Sequence, residues 1–295
     1  MRDNQTSCEM KLKALLTILF ATHSVILSAQ NQQAGFGIAY YNVGELRRSQ
    51  LNEGDTSNTL SSNNQHNRHS TTQRRARWNA QLYTQQIRRT IEVIDSIALP
   101  VIILYGIESE DVVRDLVSLS SRDYAYIYRD QNISNGLEFA VLYEGDRFFP
   151  EKVTCWDKAL AVKGQVGKGE ITIIANVRCR SIGALIEELG IDEKSDKIVL
   201  IGQPGKPDFE QFGLRDATLP VQRQQRGNYA LNGGWIMRDR VATNITGQSV
   251  CDVFIKSWLL DNFGKPAGIT TPKSNNKAGS AALPVYIYFK DLFAY

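Results

Sequence analysis

Apolar residues recur along the chain at two spacings, one typical of strands and one typical of helices. Short runs of apolar and β-branched residues predict strands at residues 36–41, 101–105, 124–128, 137–143, 159–166, 170–175, 198–201 and 283–289. Apolar positions three or four residues apart predict an amphipathic helix over residues 78–97 and shorter helices over residues 112–119 and 182–189. Because strands and helices mix without strict βαβ alternation, the pattern favours an α/β sandwich with largely antiparallel sheets over a doubly wound parallel sheet.

One long polar segment interrupts this apolar pattern. Residues 52–77 contain almost no apolar side chains and are rich in Asn, Ser, Thr and Arg, which predicts a long exposed loop. A shorter break, Gly167-Lys168-Gly169, separates two predicted strands and is typical of a hairpin turn. No internal repeat is visible, and we expect residues 30–295 to form one domain that contains the polar loop.

The first 29 residues have the pattern of a secretory signal peptide. Lys11 and Lys13 form a short positive region, residues 14–27 form an apolar run, and Ser28-Ala29 supply small residues for cleavage. The run is shorter than the roughly 20 residues that a membrane-spanning helix needs. We therefore expect export to the periplasm or the outside and no membrane span after cleavage. Because the nine residues before Met10 are polar, which is unusual ahead of a signal peptide, we expect translation to begin at Met10. The alternative is an uncleaved anchor or an internal apolar helix.

Composition and charge exclude several classes of protein. Hydrophobic residues make up 42% of the chain and charged residues 22%, which excludes a disordered chain and a multi-pass membrane protein. The net charge of +3 is too small to support nucleic-acid binding by itself. The chain has three histidines, His23, His66 and His69. A hydrolase that needs a histidine near its C-terminus is therefore disfavoured.

The cysteines leave two alternatives open. Without the leader, Cys155, Cys179 and Cys251 remain, an odd and widely spaced set. One disulfide with one free thiol is compatible with an oxidising compartment, whereas three buried cysteines that act as small apolar side chains are the favoured prediction. No Cys/His spacing predicts a metal site.

Seven segments, in chain order, resemble the motifs of one enzyme superfamily. They are Tyr-Asn-Val-Gly-Glu-Leu at 41–46, Pro-Val-Ile-Ile-Leu-Tyr-Gly-Ile-Glu-Ser at 100–109, Asn-Gly-Leu-Glu-Phe-Ala-Val-Leu-Tyr at 135–143, the pair formed by 162–170 and Asn-Val-Arg-Cys-Arg-Ser at 176–181, Ile-Gly-Gln-Pro-Gly-Lys at 201–206, Asp239 in a late strand, and Ser-Ala-Ala-Leu-Pro-Val-Tyr at 280–286. Together they cover nearly all of the chain after the leader and resemble the endonuclease/exonuclease/phosphatase superfamily. The resemblance implies a four-layered α/β/β/α sandwich, in which two largely antiparallel mixed sheets pack face to face, and phosphoester hydrolysis with a divalent metal.

The same resemblance places most of the superfamily's site on residues that lack its chemistry. The first asparagine is kept as Asn42. The six other positions fall, in chain order, on Gly106 for the metal-binding glutamate, Val177 for the first histidine, Gln203 and Gly205 for an aspartate and an asparagine, and Ala281 and Ala282 for the terminal aspartate–histidine pair. These six residues supply neither a carboxylate nor an imidazole.

Hydrolysis of a phosphoester requires these missing groups. The charge on the phosphoryl oxygens must be offset, and a water must be deprotonated near neutral pH. In the superfamily a carboxylate holds the metal, and a histidine oriented by an aspartate shares the acid–base work. Loss of one such group costs a factor of about 10² to 10⁴ in rate. The replacements therefore predict a protein with no competent catalytic residue, no metal ion and no other cofactor.

Basic residues beside the altered motifs are candidates for binding an anion. Arg178 follows the position of the lost histidine, and Lys206 follows that of the lost aspartate. With Asn42, these cations are predicted to hold a phosphorylated or other anionic ligand, because guanidinium and ammonium groups bind phosphate without hydrolysing it. Ordinary surface charge is the alternative interpretation.

Three acidic residues are the candidates for an altered metal site. Glu108 lies two residues from the lost glutamate position, and Glu138 and Asp239 lie within other motifs. Carboxylates bind Mg²⁺ and Mn²⁺, so these residues would carry the chemistry if the protein is an active hydrolase. The alternative is that these three carboxylates have only a surface or structural role.

Three hypotheses of function follow. The leading one is an exported, non-catalytic binding protein for a phosphate-bearing or acidic ligand. The second is an active metal-dependent phosphodiesterase, nuclease or phosphatase with an altered site around Glu108 and Asp239. The third is a structural partner protein in which the altered site has no role.

Overall fold

A computed structural model gives the fold and describes residues 35–48, 80–130, 136–156, 158–177, 181–192, 196–204, 209–231, 234–266, 269–270, 277–278 and 282–292. The predicted signal peptide and the polar loop at residues 52–77 lie outside these ranges. Within them, no helix is both long enough and apolar enough to cross a bilayer.

Strands supply most of the regular structure. In chain order they are β1 (Phe36–Leu46), β2 (Val101–Ile107), β3 (Ala125–Tyr128), β4 (Glu138–Tyr143), β5 (Phe149–Trp156), β6 (Ala159–Val166), β7 (Gly169–Val177), β8 (Ile198–Gln203), β9 (Arg215–Asp216), β10 (Tyr229–Leu231), β11 (Gly234–Ile236), β12 (Arg240–Thr243), β13 (Ser249–Val253), β14 (Ile269–Thr270), β15 (Lys277–Ala278) and β16 (Val285–Phe289). The helices are α1 (Ala80–Ile97), α2 (Glu110–Leu119), α3 (Ile182–Glu188) and the short α4 (Leu219–Arg223).

The long strands form two six-stranded mixed sheets. The first has the order β13-β16-β1-β2-β4-β3, and the second has the order β5-β6-β7-β8-β12-β9. In each sheet one central pair is parallel, β1 with β2 and β7 with β8, and the other pairs are antiparallel. The predicted hairpin turn joins β6 to β7 at Gly167 and Lys168.

Side chains of each strand alternate between two apolar layers. Side chains on one face of each sheet fill the space between the sheets. There, Ile38 and Ile103 of the first sheet pack in one core with Ile173 and Val199 of the second. Because consecutive side chains of a strand point to opposite sides, the neighbouring residues face the helices. This arrangement places the main core between the sheets.

The helices bury their apolar stripes against the outer faces. On the first sheet, Ile94 of α1 and Leu116 of α2 pack with Ile102 and Leu104 of β2. On the second sheet, α3 packs through residues that include Leu185. Each fully buried aliphatic side chain contributes about 1.5–3 kcal/mol. The two sheets and their outer helices make the four-layered α/β/β/α sandwich that the sequence predicts.

The structure differs from the sequence prediction in the first strand and in several strands that were not predicted. The first strand is longer than its predicted range and extends to Leu46. In the two large sheets, the strands that were not predicted are β5, β9, β12 and β13. Of these, β5 is a sheet edge with a mixed sequence and several exposed side chains.

The prediction of three buried cysteines is wrong for Cys155. Its side chain is exposed on the edge strand β5, whereas Cys251 on β13 is partly buried. The two residues lie in different sheets, and neither forms a disulfide within the described residues. Cys179 lies outside those residues.

Candidate functional site

The carboxyl ends of the central strands meet at one end of the sandwich. β1 and β2 are parallel neighbours, as are β7 and β8, so each pair ends at the same edge of its sheet. Strand β12 begins beside the end of β8, with Arg240 opposite Gly202, and β16 begins beside Tyr40, with Val285 opposite it. The altered superfamily positions therefore belong to strand ends at these two edges.

Asn228 joins the two edges. Its side-chain nitrogen donates to Asp239 Oδ2 at 2.5 Å, just before β12, and to the backbone oxygen of Leu283 at 3.2 Å, just before β16. We call this end of the sandwich the mouth and define it by five residues, namely Asn42, Gly106, Val177, Gln203 and Asp239. Sequence reasoning missed Asn228, which lies in no recognised motif.

Gly106, where the resemblance places the metal-binding glutamate, has a backbone that leaves no space for a side chain. Its φ is +102°, and a Cβ added there would lie 2.1 Å from the Gly44 carbonyl oxygen. This close approach arises because β1 places three residues opposite this single residue of β2, between the pairs Asn42–Tyr105 and Leu46–Ile107. A glutamate is therefore excluded by the local backbone geometry.

The other altered positions in the described part of the chain are also buried. Val177 belongs to the core between the sheets, and Gln203 and Ala282 are 6% and 4% exposed. Gly205 and Ala281 lie outside the described residues. The described positions are therefore buried side chains at the strand ends.

Asn42, which matches the first asparagine of the superfamily motifs, supports the local turn. Its side-chain oxygen accepts the backbone N–H of Gly44 at 3.0 Å, and the residue is 8% exposed. The amide thus stabilises the bulge of β1 against β2.

Glu108 lies just beyond the end of β2 and is held by the chain that follows β1. Its Oε1 accepts from Arg47 Nη1 at 3.2 Å, and its Oε2 accepts from the backbone N–H of Arg48 at 3.0 Å. Both oxygens of this carboxylate therefore already have partners. They hold the segment that follows β1 against the end of β2.

Glu138 lies on the helix side of its sheet. On β4, Phe139 and Val141 face the core between the sheets, whereas Ala140 and Leu142 face the helices. Strand alternation puts Glu138 with the second pair. Within the described residues, Glu108, Glu138 and Asp239 do not form a group placed to hold a metal ion.

A divalent metal does not fit the residues that the structure describes. Across the described ranges, no group of three or more His, Cys, Asp or Glu side chains is placed to hold a metal ion. His66 and His69 lie outside these ranges.

Asp239 is the most perturbed acid at the mouth. Complete burial raises the pKa of its carboxyl from 3.8 to about 6, although Gln203, Arg238 and Asn228 each favour the charged form. Its Oδ1 has no hydrogen-bond partner in the described residues, and Gln203 Nε2 forms no well-aligned bond there either. Desolvation thus outweighs the one firm hydrogen bond from Asn228.

Tyr40 completes this buried polar cluster from the first sheet. The residue is fully buried, and burial, followed by the negative charge of Asp239, raises the pKa of its hydroxyl. The Tyr40 hydroxyl has no hydrogen-bond partner among the described residues. Because Tyr40 lies within an ordinary apolar strand, no sequence signal distinguished it.

The predicted anion-binding cations, Arg178 and Lys206, lie outside the described residues. The strand ends that precede them are described, and Val177 and Gln203 are register partners on β7 and β8. Arg238 lies within the described residues and beside Gln203. Its Nη2 lies 3.4 Å from Gln203 Oε1, and its guanidinium lies 4.8 Å from the centroid of the Tyr229 ring.

Solved structures share this architecture over most of the chain. A humanized D. rerio TDP2 carrying 14 mutations has a TM-score of 0.53 and 10% identity, over 86% of this chain and 98% of that one. An endonuclease/exonuclease/phosphatase family protein from Bacteroides thetaiotaomicron has a TM-score of 0.53 and 12% identity, over 86% and 97% of the two chains.

A third match is the Bacteroides thetaiotaomicron VPI-5482 mannosyl-6-phosphatase, with a TM-score of 0.52 and 12% identity over 85% of this chain and 98% of that one. Neither the models of known protein families nor the sequences of curated proteins match this chain. At these identities the likeness concerns the fold alone, and the chain has the endonuclease/exonuclease/phosphatase fold.

Proposed function

We propose that this chain, with its endonuclease/exonuclease/phosphatase fold, is an exported, non-catalytic protein that binds a phosphate-bearing or other anionic ligand at the mouth. The proposal has three parts: loss of the hydrolytic groups, binding of an anion by basic residues, and export by the leader at residues 1–29.

The observation that carries the first part is the backbone at Gly106. A glutamate there would require a Cβ at 2.1 Å from the Gly44 carbonyl oxygen. The absence of a glutamate at this position is therefore a consequence of how β1 pairs with β2, and not of one substituted side chain alone. Val177 and Ala282 add apolar groups where the superfamily has histidines, and neither can carry a proton.

The anion site is supported by the cations that follow the paired strand ends. Val177 on β7 and Gln203 on β8 are register partners. Arg178 directly follows Val177, and Lys206 comes three residues after Gln203. Guanidinium and ammonium donors suit phosphate oxygens, and a site that lacks a metal and a base holds the anion without cleaving it.

Calorimetric titration of the full chain with inorganic phosphate and with pyrophosphate tests the binding part. Arg178→Gln and Lys206→Gln should each weaken binding about ten- to a hundredfold, the factor that loss of a charge-assisted hydrogen bond gives. Lys168→Gln, in the turn at the opposite end of β7, is the matched control and should leave the affinity unchanged. Equal effects of all three substitutions, or the absence of any anion binding, would favour the structural-partner hypothesis.

Hydrolysis assays test the catalytic part. The full chain should not turn over bis(p-nitrophenyl) phosphate in Mg²⁺, Mn²⁺ or Ca²⁺ above the rate of the buffer. Metal-dependent turnover that Asp239→Asn or Glu108→Gln abolishes, but Lys168→Gln does not, would overturn the non-catalytic proposal and establish the active alternative.

A further inference from the structure

The segment Phe254–Pro266, which we call the apolar loop, exposes several large apolar side chains at the mouth end. It follows β13, whose last residue, Val253, pairs with Val285 at the start of β16. Within it, Ile255 is 38% exposed, Trp258 is 39% exposed and Phe263 is 86% exposed. Phe263 has the highest exposure among the large apolar side chains of the described residues.

The tip of the apolar loop is held by its own hydrogen bonds. Asp261 Oδ1 accepts the backbone N–H groups of Phe263 and Lys265, each at 2.9 Å. The backbone N–H of Asp261 donates to the Lys265 carbonyl at 2.7 Å, and Gly264 turns the chain with a φ of +69°. This geometry presents Phe263 at the apex of a compact turn.

The base of the apolar loop is fixed to the outer layer of the first sheet. Leu259 is 4% exposed and packs into the core cluster beneath α1 and α2. Arg89 of α1 donates from Nη2 to the Trp258 carbonyl at 3.1 Å. Because base and tip are both fixed, the exposure of Trp258 and Phe263 is a property of the folded loop.

Basic side chains flank the exposed rings. Lys256 and Lys265 are both exposed, and Lys256 Nζ lies 5.5 Å from the Phe254 ring centroid. The acidic group of the loop, Asp261, is engaged in the turn. The apolar loop therefore combines protruding rings with positive charge, a combination suited to an anionic lipid surface, in which rings enter the headgroup region and lysines meet the phosphates.

We propose that the apolar loop docks the protein on the surface of a bilayer that contains anionic phospholipid. The protruding shape supports this occupant over a protein partner, because a bilayer accepts an isolated projecting ring without a complementary pocket. Leu231 and Ile236, on the β10–β11 hairpin that leads to Asp239, are further exposed apolar side chains. The proposal does not depend on binding of an anion in the mouth.

Flotation of the full chain with phospholipid vesicles tests the docking. Vesicles of phosphatidylcholine mixed with phosphatidylglycerol should bind the protein, whereas pure phosphatidylcholine vesicles should bind it much more weakly. Phe263→Ser and Trp258→Ser should each reduce binding to the mixed vesicles about tenfold or more, the factor expected from loss of one inserted aromatic ring. Lys256→Gln combined with Lys265→Gln should weaken binding and reduce its dependence on salt.

The matched control for the rings is Phe149→Ser. Phe149 is 65% exposed but lies at the opposite end of the sandwich, where it pairs with Gln165 beside the start of β7. It should leave vesicle binding unchanged, and Lys168→Gln is the equivalent charge control. Unchanged thermal unfolding of each variant shows that the fold is kept.

Several results would contradict lipid docking. These are no binding to mixed vesicles, equal losses from Phe149→Ser and Phe263→Ser, or binding that Phe263→Ser leaves intact. Conversion of a dimer to a monomer by Phe263→Ser, seen in light scattering, would assign the loop to contact between copies of the chain. Phosphate titration of Phe263→Ser separates the proposals, because its affinity for phosphate should equal that of the unaltered chain.

Discussion

The buried carboxyl of Asp239 makes the stability of the protein dependent on pH in a direction that can be measured. Burial raises its pKa from 3.8 to about 6. The native state therefore holds this proton more tightly than the unfolded state. The stabilisation from this group is complete below the unfolded pKa and is lost as the pH rises through the folded pKa.

The size of the effect follows from the difference between the two pKa values. One unit corresponds to about 1.4 kcal/mol, so the full contribution is about 3 kcal/mol. About 2 kcal/mol of it should disappear between roughly pH 4.5 and pH 7.5. An asparagine cannot titrate, so Asp239→Asn removes this dependence while keeping an oxygen that can accept from Asn228.

Urea unfolding of the two proteins across this pH range is the assay. The free energy of unfolding of the unaltered chain, minus that of Asp239→Asn, should fall by about 2 kcal/mol as the pH rises from about 4.5 to 7.5. Asp123→Asn, which removes one exposed carboxyl, controls for the loss of a charge. A difference that stays constant, or that grows with pH, would refute the argument that desolvation dominates at Asp239.

Three further predictions concern the mouth and the cysteines. Gly106→Ala should lower the free energy of unfolding, measured in urea, by more than about 2 kcal/mol, because it adds an atomic overlap to backbone strain. The control is Gly136→Ala, at a residue with a positive φ but open space around it, which should lower the free energy of unfolding by only about 1 kcal/mol. Asn228→Ala should cost about 3 kcal/mol or more, because it leaves several buried groups unpaired. If Asn228→Ala lowered the free energy of unfolding no more than substitution of an exposed asparagine does, the role of Asn228 in joining the two sheets would be refuted. Peptide mapping after brief maleimide treatment should find Cys155 labelled well before Cys251, because burial raises the pKa of the Cys251 thiol; equal labelling would contradict this order.

Most of the sandwich could be predicted from sequence because its central strands are strongly apolar. Strands β2, β6, β7 and β8 carry continuous or alternating apolar residues, and their turns contain glycine. Edge strand β5 was missed because its sequence is mixed, whereas edge strand β3 was predicted because its four residues are all apolar or aromatic. Strand β12 lies inside its sheet but was missed because it is only four residues long. Local pattern therefore identifies a strand where its apolar run is long or continuous.

The mouth could be predicted only in part. The resemblance identified the altered positions, such as Gly106 and Gln203, which do lie at strand ends on their sheets. It did not identify Asn228 or Tyr40, because their importance comes from contacts between the two sheets that no local spacing encodes. The side of the sheet on which Glu138 lies could not be predicted either, because it depends on the register of β4 in the folded sheet.

The three-to-one pairing of β1 with β2 at Gly106 also limits which single substitutions this position accepts. Any side chain there, and not glutamate alone, would place its Cβ 2.1 Å from the Gly44 carbonyl oxygen. Relief of that overlap requires movement of the β1 bulge, which also contains the turn that Asn42 supports. A saturation screen of position 106 should therefore recover glycine alone unless the bulge is altered at the same time.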